Sequence, residues 1–194
     1  FIFVYVASTN LQELFYLKII FKPFYLPIMW ISYLLNNLLI KKIYFETAND
    51  IYVGANISSS AKKLNVKLEA EGDVIIGTTD GSNTSNATIT TKGGTFTVKG
   101  SNSEGDPLIA TGDEAGSFTI KAGSSVDTTG AAGIAGGAVT IETAAQDADG
   151  LGATDADIDI YGSITTTGGA GSTSNGAVGG NVSLETNNSG TITF

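Results

Sequence analysis

Phe96-Thr97-Val98, Phe118-Thr119-Ile120, Val139-Thr140-Ile141, Ile158-Asp159-Ile160 and Val182-Ser183-Leu184 are versions of one tripeptide, and Val74-Ile75-Ile76 opens the series. Their first residues follow one another at steps of 22, 22, 21, 19 and 24. The outer two positions are apolar and the middle one, Ile75 apart, is Thr, Asp or Ser. That alternation has the period of a strand with one dry and one wet face. Short strands recurring at a fixed interval of 20 to 30 residues are the mark of a solenoid.

A second strand type accompanies the first: Thr88-Ile89-Thr90-Thr91, Ser125-Val126-Asp127-Thr128, Ser163-Ile164-Thr165-Thr166 and Thr191-Ile192-Thr193. Each offers one apolar β-branched residue among hydroxyls. Asp50-Ile51-Tyr52-Val53, Ile57 and Leu64-Val66-Leu68 extend the pattern upstream. Gly or Asp usually precedes the tripeptide, and Gly permits sharp corners between strands. No 3.6-residue apolar stripe follows residue 50, so helices are not expected there. The reading is an all-β chain, a right-handed parallel β-helix (β-solenoid) of about five or six coils of ~22 residues, each coil about 4.8 Å above the last.

This register predicts Phe96 under Phe118, and Val98 under Ile120 and then Ile141. It predicts an outward column of Lys99, Lys121, Glu142, Tyr161 and Glu185, with Lys121 favourably placed against Glu142 and Lys99 repelling Lys121. Residues 100–116, 130–137 and 168–180 read as loops projecting from the rod, where solenoids often carry binding.

Composition divides the chain at residues 47–50. All 25 Gly lie between Gly54 and Gly190, whereas residues 1–47 are rich in Phe, Tyr, Ile and Leu. Phe24 to Ile40 is apolar enough for a membrane span, but short for one and interrupted by Pro27 and Asn36-Asn37. As a secretion signal it lacks a small-x-small cleavage site. It also reads as a non-native translation of an AT-rich stretch, or as an apolar cap on the solenoid. Residues 48–194 form the repeat region. With Phe1 in place of Met, and a repeat running up to Phe194, the chain is expected to be a piece of something longer.

Ten Lys stand against nineteen acids, a net charge of −9, with no Arg, His or Cys. That balance argues against nucleic acid and against electrostatic docking on anionic membranes. It leaves no disulfide framework or thiolate chemistry. A membrane partner enters only if residues 24–40 span one.

Ile57-Ser58-Ser59-Ser60 through Lys63-Leu64-Asn65-Val66-Lys67-Leu68, then Gly72-Asp73-Val74-Ile75-Ile76-Gly77, resemble the repeat region of filamentous-haemagglutinin-like bacterial exoproteins. So do Ala87-Thr88-Ile89-Thr90-Thr91-Lys92-Gly93-Gly94 and the Phe-Thr-Val strand after them. The resemblance covers residues 48–194. It implies a right-handed parallel β-helix, two-partner secretion through an outer-membrane transporter, an extracellular or cell-surface location, and adhesion to a host-cell or glycan ligand. The Asn-Pro-Asn-type motifs of the family's secretion module are absent, the only Pro after the first segment being Pro107. The implied part is therefore the shaft, which carries no catalytic residues.

Asp147, Asp149, Asp155, Asp157 and Asp159 form the most pointed cluster. Three carboxylates on the outer face of one strand, with two more in the loop before it, could chelate Ca²⁺ through hard oxygen ligands. The EF-hand pattern fails at Leu151 and lacks its closing Glu, so a solvated acidic face is the competing reading. No other cofactor is indicated. Paired carboxylates would also suit glycoside cleavage, yet the Arg or His usual in such β-helix sites is missing, and no enzyme is expected. The Gly-rich residues 130–137 lack the G-K-[ST] of a phosphate loop. The Thr-rich strands invite an ice-binding reading, which the uneven coil lengths oppose. The sequence thus points to a structural shaft segment of a secreted adhesin. A carbohydrate-active β-helix and a Ca²⁺-stabilised surface-layer or toxin-like repeat are its rivals.

Overall fold

The computed structural model describes residues 3–7, 15–21, 40–47, 50–58, 63–70, 72–80, 83–100, 116–144, 156–171, 176–187 and 190–194. In chain order its strands are β1 (Phe3–Ala7), β2 (Phe15–Phe21), β3 (Ile40–Thr47), β4 (Ile51–Val53), β5 (Ile57–Ser58), β6 (Asn65–Ala70), β7 (Val74–Ile76), β8 (Thr78–Asp80), β9 (Asn83–Ser85), β10 (Thr88–Thr90), β11 (Phe96–Gly100), β12 (Phe118–Ile120), β13 (Ser125–Asp127), β14 (Val139–Ala144), β15 (Ile158–Ile160), β16 (Ser163–Thr165), β17 (Val182–Asn187) and β18 (Ile192–Thr193). The described residues contain no helix, and so none long and apolar enough to cross a membrane. Of the apolar run 24–40, residues 24–39 lie outside them, and Ile40 opens β3.

Three walls account for nearly all the strands. Wall one runs β4-β7-β12-β15-β18, wall two β5-β10-β13-β16, and wall three β1-β2-β3-β6-β11-β14-β17. Every pairing in them is parallel except that of β1 with β2. From β4 onward the chain visits wall one, wall two and wall three in rotation, four times among the described residues, and β18 begins a fifth passage. The antiparallel hairpin of β8 and β9 interrupts the second passage between walls one and two. Stacked parallel sheets entered in rotation are the architecture of a parallel β-solenoid.

The 22-residue interval has a different meaning from the one the sequence suggests. Val74, Phe118 and Ile158 stack on wall one, while Phe96, Val139 and Val182 stack on wall three. Successive tripeptides therefore alternate between two walls, and one interval is about half a passage. Phe96 lies between Val66 and Val139 rather than under Phe118. Val98 pairs with Leu68 and Ile141, not with Ile120. Thr191-Ile192-Thr193 also changes class, because β18 joins wall one. The physical reason is that both walls need the same thing: two inward apolar residues around one outward polar residue. Wall two needs the inverse, and its strands show Ile89 and Val126 buried between half-buried neighbours.

The interior is filled from all three walls. Val74, Ile76, Phe118, Ile120 and Ile158 come from wall one; Ile57, Ile89 and Val126 from wall two; Val66, Leu68, Phe96, Val98, Val139 and Ile141 from wall three. Each such side chain contributes about 1.5–3 kcal/mol of transfer free energy, most of it cancelled by chain entropy. Wall three continues across residue 47, because β3 pairs with β6 and its Ile43 and Phe45 join the same buried cluster.

Unequal passage lengths are absorbed at corners. Neighbouring strands of wall one begin 23 to 44 residues apart, yet each pair stays in unshifted register. Residues 130–136, and 168–171 with 176–179, lie at the corner between walls two and three. They hydrogen-bond to each other, Gly133 N donating to Ala170 O at 2.9 Å and Gly136 N to Val178 O at 2.9 Å. Of the expected loop 100–116, only Gly100 and Gly116 are among the described residues.

Candidate functional site

Asp147, Asp149 and Asp155 lie outside the described residues. Asp157 and Asp159 stand on consecutive outward positions of the fourth passage, at and within β15. Asp159 faces Thr119 and Thr193 across the wall. Asp157 does something more specific. Its Oδ1 accepts the backbone N–H of Thr191 at 2.8 Å and the Thr191 hydroxyl at 2.9 Å. No grouping of three or more metal-capable side chains occurs among the described residues.

Asp157 belongs to a column at the corner leading into wall one. Asp50 Oδ1 accepts from Asp73 N at 2.9 Å, and Asp73 Oδ1 accepts from Ser117 N at 2.8 Å. Ser117 Oγ then accepts from Asp157 N at 3.2 Å. At each step the side chain of one passage takes the N–H of the next, a donor otherwise left without a ladder partner at the bend. The other corners repeat the device: Asn56 Oδ1 accepts from Thr88 N at 2.8 Å, and Asn65 Oδ1 from Thr95 N at 2.9 Å. These polar residues hold register. Spacing alone passes over Asn56 and Asn65, whose signal is a short amide just before a strand or at its first position.

A second device holds the corner between walls two and three. The hydroxyls of Thr91, Thr128 and Thr166 donate to the carbonyls of Gly94, Gly137 and Gly180 at 2.7, 2.7 and 2.9 Å. Thr91 and Thr128 are fully buried, so an unmet hydroxyl would cost about 1–3 kcal/mol there. The glycines stack: a Cβ on Gly137 would lie 1.8 Å from Gly94 O, and one on Gly180 2.0 Å from Gly137 O. The clasp is made whether the intervening loop is two residues long, as at Lys92-Gly93, or much longer, as between Thr166 and Gly180.

The expected outward column splits between walls. Glu142 pairs with Lys99 at 2.7 Å on wall three and stands in register with Glu185. Lys121 and Tyr161 instead follow β12 and β15 of wall one, so neither the Lys121–Glu142 attraction nor the Lys99–Lys121 repulsion arises. Lower on wall three Tyr44 hydrogen-bonds Glu69, which also pairs with Lys67. The Lys67 ammonium lies 5.0 Å from the Tyr44 ring centroid.

Wall two presents the most regular outer surface. Thr88–Thr90, Ser125–Asp127 and Ser163–Thr165 each bury or half-bury their middle residue and turn the other two outward. Ser125 Oγ donates to Thr88 Oγ1 at 3.1 Å, joining two rungs of that face. The Asp127 carboxylate accepts the N–H of Thr129 at 2.8 Å. Chemically, the described surface offers hydroxyls, scattered carboxylates and Lys, arranged by backbone register. No protein-family model, no curated protein and no solved structure matches this chain.

Proposed function

We propose that the chain is a structural shaft segment of a secreted bacterial surface adhesin, a right-handed parallel β-helix of about five rungs. The observation that carries the reading is the rotation from β4 onward through three parallel walls whose strands stay in unshifted register. Right-handed winding follows from the strong preference of parallel crossovers for that hand. Five rungs at about 4.8 Å make a rod roughly 24 Å long from this region alone. Its polar groups at the corners are engaged in register-keeping, which suits a rigid spacer that holds loops away from the cell. The sequence likeness of residues 48–194 to filamentous-haemagglutinin-like exoproteins supplies the secretion route and the adhesive role.

Adhesion is assigned to the corner loops, in particular residues 130–136 and 168–179, and the ligand class to cell-surface glycan or protein. The test is cell and glycan binding by the purified chain, compared with a variant in which both loops are cut to a Lys-Gly turn like Lys92-Gly93. Loss of binding with an unchanged β spectrum supports loop-borne adhesion. Release of new reducing ends from a polysaccharide would replace this reading with the carbohydrate-active one. A large calcium-dependent rise in the melting temperature would replace it with the calcium-stabilised repeat.

A further inference from the structure

We propose that the outer face of wall two orders water into an ice-like layer and adsorbs to ice. This property belongs to the array itself and is independent of adhesion. Uneven coil lengths are the sequence objection to such a surface, and that objection fails because the extra residues leave at corners. β10, β13 and β16 remain in unshifted parallel register: Thr88, Ser125 and Ser163 form one row, and Thr90, Asp127 and Thr165 a second. Thr129 and Thr167 extend the second and third rungs, Gly130 N donating to Thr167 O at 2.9 Å, while Lys92 leaves the array in a turn at φ 52°. Rungs about 4.8 Å apart and outward residues roughly 7 Å apart along each strand give a two-dimensional grid. Those repeats are close to the oxygen spacings on the prism face of hexagonal ice.

The side chains suit the task. Seven of the eight grid positions are Ser or Thr, and the β-branched Thr residues are stiff at χ1, so little rotamer freedom remains to be lost on adsorption. Hydroxyls anchor water by hydrogen bonds nearly as good as direct ones, while the Thr methyls space the anchored waters. The grid rests on a stiff base, since Ile89 and Val126 beneath it are fully buried and Thr91 and Thr128 are clasped from inside. One position departs from the pattern: Asp127 lies inside the grid with one oxygen taken by Thr129 N.

The full chain, fluorescently labelled, is placed around a slowly growing ice crystal, and its concentration in the ice is compared with that of an inert protein. Enrichment in ice by at least fivefold, together with inhibition of recrystallisation, is the expected result. Thr90→Lys and Thr165→Lys, which put long charged side chains on the grid, abolish both, whereas Thr97→Lys and Thr140→Lys on wall three leave them unchanged. Should Thr90→Lys lose its β spectrum, Thr165→Lys and Thr167→Lys at exposed positions serve instead. Exclusion of the wild-type chain from ice overturns the proposal. Equal enrichment of the wall-two variants overturns it too, and so does a chain excluded from ice but retained on a glycan resin through this face.

Discussion

The Phe96 and Phe118 rings meet with centroids 6.2 Å apart and planes tilted by 53°, although the two residues stand on different walls. They are neighbours across the interior, not neighbours in a stack. Both are fully buried, so one passage is pinned to the adjoining one by an aromatic pair as well as by the ladders.

Truncating either ring should cost about 3–5 kcal/mol, the range for Phe→Ala in a packed core. A double-mutant cycle with Phe96→Ala and Phe118→Ala should return a coupling of about 0.5–1.5 kcal/mol. Denaturant unfolding measures both. A coupling near zero would mean that the rings do not touch in solution.

Gly137 and Gly133 should respond differently to Ala. Gly137→Ala drives a Cβ into the carbonyl of Gly94, a backbone atom that cannot yield without moving a rung. Gly133 has open space but φ of +73°, so Ala there costs roughly 1 kcal/mol of backbone strain. Hydrogen exchange should show widened opening at β11 and β14 for Gly137→Ala, and none there for Gly133→Ala.

Lys92 is the one residue other than Gly with positive φ among the described residues, at 52°, followed by Gly93 at 85°. Gly94 N returns to Thr91 O at 3.1 Å, closing a turn of the type that favours Asn-Gly. Lys92→Asn should raise stability by about 0.5–1 kcal/mol, read as a higher urea midpoint at unchanged slope.

Removal of the Asp157 side chain takes away both bonds to Thr191. Asp157→Ala should lose about 1 kcal/mol, while Asp157→Asn, which keeps an acceptor oxygen, should lose less than half of that. If the two variants are equally destabilised, the charge of Asp157 matters rather than its place in the corner column.

Lys99 and Glu142 are each about one-third exposed, and a pair so placed contributes about 0.2–1 kcal/mol. A double-mutant cycle in low salt should find that coupling and lose most of it in 1 M salt. The same cycle between Lys121 and Glu142 should find none.

The amino-acid sequence by itself determined the repeat strands after residue 50 and which of their residues turn inward, but neither the β8–β9 hairpin nor the strands β1–β3. The alternation in Phe118-Thr119-Ile120 carries that information locally, because strand period and burial are properties of three adjacent residues. It also marked the corners, where Gly or a short polar residue must stand. Which strand lies on which was decided only in the tertiary structure. Two walls demand the same apolar-polar-apolar pattern, so nothing in the spelling of Phe96-Thr97-Val98 says that its neighbours are Val66 and Val139 instead of Phe118. Asp157 changed in the same way: from spacing it belongs to an acidic cluster, and in the fold its oxygen is turned toward the next rung. The outer grid of wall two also emerged only on folding, once the corners had absorbed the unequal lengths that separate Thr90, Asp127 and Thr165 along the chain.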